Sequence, residues 1–143
     1  MAKPTKKAIP PPPVAPRSIR IHLAGTPRGK GRARVSSRRN GPGVIVRTPE
    51  ETVNYEAALR LVAQTQMRDE ALLDGPLSVT MAAIFAVPAS WSKKKHAAAL
   101  KFELRPTGKP DTDNLSKVKD ALNGVVWKDD SQVVSELVIK AYG

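Results

Sequence analysis

Asp111 and Asp113 stand two residues apart in the run Lys109-Pro110-Asp111-Thr112-Asp113-Asn114-Leu115-Ser116-Lys117. Pro110 disfavours helical backbone in the residue before it, so the chain approaches this run extended. In an extended segment, residues two apart project to the same side. Two neighbouring carboxylates repel, and each resists ionising unless a cation lies between them. Oxygen donors at that spacing suit Mg²⁺, with Mn²⁺ as a substitute. An EF-hand does not fit, because Ser116 falls where that loop needs glycine and Leu122 where it needs glutamate. The bland alternative is a turn with two capping aspartates.

A helix is expected to follow. Leu115, Val118 and Leu122 form its buried stripe, and Asp113, Lys117 and Asp120 share the opposite side. Asp113 can also serve as its N-cap. Asn123-Gly124 ends it. Val125-Val126-Trp127 then leads to Asp129-Asp130, and Val133 to Lys140 reads as a strand. In an extended chain only one of Asp129 and Asp130 can face the metal, and spacing does not choose between them. Three separated aspartates and a lysine suit a metal-dependent phosphodiesterase. The cation would acidify a bound water, and Lys117 would orient that water or stabilise charge on the phosphorus centre.

The charge distribution supports a polyanionic partner. The chain has 143 residues, 24 Lys+Arg and 13 Asp+Glu, giving a formal charge of +11. Every carboxylate lies at Glu50 or later, so the preceding segment is purely basic. Such a segment attracts nucleic acid through long-range Coulomb forces and counterion release. Between Gly25 and Gly43, Arg28, Lys30, Arg32, Arg34, Arg38 and Arg39 read as a DNA-binding loop that holds phosphates with side chains. It lacks the Gly-Lys-Ser/Thr ending of a P-loop. Cysteine is absent, which excludes disulfides and thiolate metal sites. His22 and His96 are too few for a zinc site. No apolar run approaches the roughly 20 residues of a membrane span. The basic start is followed by proline rather than an apolar stretch, so no secretory signal is read and a cytoplasmic location is expected.

These residues require a scaffold. Residues 1–16, rich in proline and lysine, read as a flexible tail, and 17–143 as one domain. Ser18 to Ala24 alternates as a half-buried strand. Val44-Ile45-Val46 returns from the basic loop as another. Thr48 as N-cap, Pro49 at the first helical position and Glu51 at capping-box spacing start a helix running to about Leu72, with Tyr55, Leu59 and Val62 on its apolar face. Asp74-Gly75-Pro76 breaks the chain before a central strand from Leu77 to Val87. Pro88 to Ala99 reads as a connection carrying Lys93-Lys94-Lys95, with Trp91 plugging the core. Residues 101–105 read as a short strand.

Lys109 to Val133, including Asp111-Thr112-Asp113-Asn114-Leu115-Ser116-Lys117 and Trp127-Lys128-Asp129-Asp130-Ser131-Gln132-Val133, closely resembles the RusA family of Holliday-junction resolvases. Weaker similarity covers much of residues 18–100, so the resemblance spans roughly 18–142. The resemblance implies a small single α+β domain with a mixed β-sheet packed by helices, forming a two-fold homodimer. It implies a Mg²⁺-dependent endonuclease acting on four-way junction DNA in bacteria and their phages, in recombination and repair. The family's catalytic, metal-binding carboxylates match Asp111, Asp113 and Asp130, and its catalytic lysine matches Lys117. Asp120 and Asp129 are left as supports of the ligands. The family pattern continues past Gly143 with another strand, so an open sheet edge is expected. The competing class is a non-catalytic basic nucleic-acid-binding protein.

Overall fold

The pattern of buried residues explains where the elements form. A computed structural model describes residues 9–10 and 16–143. Most of the expected tail therefore lies outside the described residues. The elements run β1 (Arg34–Ser37), β2 (Val44–Arg47), α1 (Glu50–Gln66), β3 (Leu77–Phe85), α2 (Lys93–Leu100), α3 (Thr112–Ser116) and β4 (Val133–Tyr142). Two 3₁₀ segments, Lys117–Leu122 and Asp130–Gln132, complete the order. The α+β composition is as expected. The mixed sheet is instead two separate two-stranded sheets: β1 pairs antiparallel with β2, and β3 pairs parallel with β4.

The core packs Ala63 of α1 and Met67, which caps that helix, against Leu122, Val125, Val126 and Trp127. Ile19, Ile21, Leu59, Leu73, Leu77 and Val79 close around it. Trp127 donates its indole N–H to Asn123 Oδ1 at 2.7 Å, so its polar tip is satisfied inside the apolar cluster. This cluster anchors the chain just before the second aspartate pair. Leu73 N also donates to Val126 O at 2.7 Å, tying the approach to β3 onto the core.

Several expectations change. Ser18 to Ala24 keeps its alternating burial, with Ile19, Ile21 and Leu23 half-buried, but forms no strand. Alternation reports one buried face, and a strand also needs a neighbour to complete its ladder. α1 starts at Glu50, with Pro49 as N-cap, one residue later than expected. Extended backbone at Pro49 (ψ 137°) lets its carbonyl accept from the amides of Thr52 and Val53, and no side chain caps the helix. α1 stops at Gln66 because the chain must turn for Leu73 to reach Val126. β3 has β4 on one side only among the described residues, so it is not central.

Pro88 to Ala99 is not a plain connection, since Lys93–Leu100 forms α2. Ser92 caps it, its hydroxyl accepting from Lys95 N at 3.2 Å, and Ala99 is buried. Trp91 is half-buried, edge-on to Tyr142 at 5.2 Å, with the Lys95 ammonium 4.0 Å from its ring centroid. Residues 101–105 form turns. The amides of residues 101–104 bond back to Ala97, Ala98 and Ala99, and Phe102 takes a left-handed φ of 63° that no strand allows.

The basic loop approaches the first aspartates through two glycines. Lys30 N donates to Asn114 O at 2.8 Å, and Gly31 N donates to Thr52 Oγ1 at 3.0 Å. A Cβ on Gly29 would lie 2.8 Å from Pro110 Cβ and 2.9 Å from Asn114 Cβ. A Cβ on Gly31 would lie 2.9 Å from Thr52 Oγ1. The segment thus passes between α1 and the Pro110–Asn114 loop with no room for side chains at either glycine. Gly29→Ala should destabilise the fold by about 1–3 kcal/mol through overpacking. Urea denaturation measures it, and Gly108→Ala, where a Cβ meets nothing within 4 Å and the backbone is not left-handed, controls for the general effect of replacing a loop glycine.

Candidate active site

α3 and the 3₁₀ segment after it present the first group of site residues. Leu115, Val118 and Leu122 are buried as expected, which turns Asp113, Lys117 and Asp120 outward. The N-cap is Asp111, not Asp113, and it makes no side-chain capping bond. Asp111 and Asp113 are therefore both exposed at the start of a short helix. Lys117 Nζ donates to Asp113 Oδ2 at 2.8 Å, one helical turn along. Behind this face, Ser116 Oγ donates to Glu136 Oε1 at 2.7 Å, and Lys119 Nζ lies 3.3 Å from Glu136 Oε2. These bonds fasten the segment to β4. Arg60 of α1 donates to the carbonyls of Ala121 and Asn123 at 3.2 and 3.3 Å, closing its far end.

The second group comes from the turn before β4. Asp130 is half-buried and meets Asp120, which the sequence reading keeps out of the catalytic set. A hydrogen bond with Asp120, partial burial and the negative charges of Asp120 and Asp129 raise the Asp130 carboxyl above its ordinary range. Asp129 moves the opposite way, lowered chiefly by a hydrogen bond from the Ser131 hydroxyl. Two adjacent aspartates thus differ in character because their neighbours differ.

Lys30 links this group to α1. Its ammonium lies 3.2 Å from Asp120 Oδ2 and 3.4 Å from Glu56 Oε1. Burial acts to lower the Lys30 pKa, but the Asp120 hydrogen bond and both carboxylate charges outweigh it and raise it. Glu56 Oε1 is buried and has no hydrogen-bond partner among the described residues. Lys30, Glu56, Arg60 and Asp120 line one open cleft. Asp130, Ser131, Lys119 and Glu136 line another.

The expected ligand set is not assembled as one cage. Among the described residues no three acidic or imidazole side chains converge to hold a metal ion. Asp113 pairs with Lys117, and Asp130 with Asp120. Asp113 and Asp130 thus have separate partners. The donor chemistry still suits a hard divalent cation, since the exposed groups are carboxylate oxygens.

The basic loop divides in two. Lys30, expected among the DNA contacts, here makes ion pairs with Glu56 and Asp120. Arg28 pairs with Glu51 at 2.7 Å on the surface. Arg32, Arg34, Arg38 and Arg39 are exposed and make no ion pair among the described residues. Arg34 stands directly opposite Arg47 in the β1–β2 ribbon, a like-charge pair that a polyanion would relieve. Val35 and Val46 form the next pair and are 65% and 62% exposed.

The chain thus carries an exposed aspartate–lysine pair and a ribbon with exposed arginines. Comparison with known proteins places the chain more narrowly. It belongs to the family described as Endodeoxyribonuclease RusA, whose model matches residues 24–143. It is also 44% identical over 127 residues to an uncharacterized protein, YqaN, of Bacillus subtilis (strain 168), covering 87% of each chain. No solved structure matches the chain.

Asp120 could have been found from its place on the Asp113–Lys117 face, and Glu56 from its place on α1 only once Lys30 was known to turn inward. Asp120→Asn should bring the Asp130 pKa down toward its ordinary value, read by carboxyl ¹³C NMR titration. The sign follows from the raised pKa. Asp130 favours the folded state while protonated, and that contribution fades as pH rises through its raised pKa. The substitution should shrink this loss. Lys30→Met should cost about 1–3 kcal/mol in urea denaturation, because the buried Glu56 oxygen loses its cation.

Proposed function

We propose that this protein is a Mg²⁺-dependent endonuclease that resolves four-way DNA junctions by paired, symmetric nicks. The family match over 24–143 carries the reading, because every carboxylate and lysine that the family resemblance assigns is present here. Asp111, Asp113 and Asp130 would hold the cation, which would supply Lewis acidity and an acidified water. Lys117 holds one oxygen of Asp113 and keeps a positive charge beside the scissile phosphate. Asp120 fixes Asp130 from the other side, and Lys30 balances the charge of that pair.

The ribbon arginines Arg34, Arg38, Arg39 and Arg47, with Arg32, would bind DNA backbone near the cut. Such contacts position the protein without reading sequence. Junction shape and deformability would supply most of the specificity. A two-fold homodimer would present two equivalent sites to a junction of matching symmetry. Among the described residues no helix is long and apolar enough to cross a membrane, and the proposed substrate places the protein with the DNA in the cytoplasm of a bacterium or of a phage-infected cell.

The unassembled ligand set favours a second reading, a non-catalytic junction-binding protein. One experiment separates the two. An end-labelled four-way junction and a linear duplex of the same sequence are incubated with Mg²⁺, with Asp113→Asn in parallel. Paired cuts in the junction alone, lost in the variant while binding persists, are the expected result. Junction binding without cutting in Mg²⁺ or Mn²⁺ supports the binder. Equal cutting of both DNAs removes junction selectivity. Replacing Arg38 and Arg39 by Gln should flatten the salt dependence of binding by about one unit of log–log slope for each phosphate left without its arginine.

A further inference from the structure

Every hydrogen-bonding position of one side chain beside Asp130 is engaged. Gln132 Oε1 accepts from Lys128 N at 3.0 Å and from Asp129 N at 3.2 Å. Its Nε2 donates to Leu73 O at 3.2 Å and to Gly75 O at 3.1 Å. Two of these partners belong to the Asp129–Asp130 turn. The other two belong to the segment entering β3, a stretch more than fifty residues away in the chain. That segment is itself fixed, because Leu73 N bonds to Val126 O beside Trp127.

We propose that Gln132 is a positioning residue for the catalytic carboxylate Asp130. The proposal rests on the nuclease reading above. Lys128, Asp129 and Asp130 leave the buried Trp127 as a short turn. Gln132 restrains that turn by joining two of its amides to two carbonyls across the fold. No other natural side chain places one acceptor and one two-proton donor at this reach. Asparagine is one carbon shorter. Glutamate would accept from the amides but repel both carbonyls.

Gln132→Met keeps the volume and removes all four bonds. In single-turnover cleavage of the junction with Mg²⁺, it should slow cutting by about 100-fold, the scale of a roughly 1 Å misplacement. Junction affinity in EDTA should stay within about twofold of the parent. Hydrogen exchange should accelerate at the Lys128 and Asp129 amides and leave the β3–β4 amides protected. A double-mutant cycle separates positioning from general weakening. With Asp130→Asn already present, Gln132→Met should slow any residual cutting no further, because both changes act through one carboxylate. Gln132→Glu should also cut slowly, since it keeps the amide contacts and loses the anchor.

Cleavage within about twofold of the parent despite faster exchange at both amides overturns the proposal. So does an equal further loss in the Asp130→Asn background, or a loss of affinity that accounts for the whole effect. A parent protein that cuts no junction overturns the nuclease reading and this proposal with it. That outcome differs from the others because the parent itself then shows no cleavage.

Discussion

Lys30 is held at both ends, and the site is organised around it. Its amide bonds to Asn114 O, beside Asp111 and Asp113, while its ammonium lies between Glu56 of α1 and Asp120. The glycines on either side set how closely α1 and the aspartate loop approach. Gly29 admits Pro110 and Asn114, and Gly31 admits Pro49 and Thr52, at separations a Cβ would violate. One three-residue segment thus fixes the distance between the helix and the loop and neutralises the acids they bring together. The charge compensation depends on the lysine between them.

The electrostatics of the site run against the charge of the whole. A chain of +11 attracts phosphate everywhere, yet it concentrates carboxylates around one short segment. Their neighbours give them separate characters. Asp113 is steadied by Lys117, Asp129 is lowered by Ser131, and Asp130 is raised by Asp120. Pairs of acids pushed apart in this way are what acid–base and cation chemistry need from a cluster of identical side chains. In the Asp129–Asp130 pair the difference arises first from single hydrogen bonds, and desolvation contributes less.

The sequence makes local rules legible and leaves long-range bonds unread. The Leu115–Val118–Leu122 stripe and the outward Asp113–Lys117–Asp120 face follow from helical period alone, and they hold although half the segment is 3₁₀. Val44-Ile45-Val46 is legible as a strand returning from the basic run, while its partner β1 inside that run is not. Ser18–Ala24 shows the limit of periodicity: its alternation is real, and it has no strand partner among the described residues. Lys93-Lys94-Lys95 hides a helix because an N-cap at Ser92 and alanines behind it outweigh the appearance of a solvated loop. Lys30 is the instructive case. By composition it belongs with the phosphate-binding arginines, and only the approach of residues 56 and 120, far away in sequence, turns it inward. Gln132 is half legible: its capping-box spacing from Asp129 is local, while its partners at residues 73 and 75 are visible only once the chain is folded.

The ribbon and the carboxylates meet these constraints in different ways. β1 begins three residues after Gly31, so the ribbon leaves the fold directly from the segment that holds the aspartate loop. Its arginines carry a mutual repulsion that nothing in their own sheet relieves, with Arg34 facing Arg47. The carboxylates are instead tied to the core, through Arg60 and Asn123 on one side and Gln132 and Leu73 on the other. The ribbon is thus joined to the site through the Lys30 segment, and the carboxylates through the core.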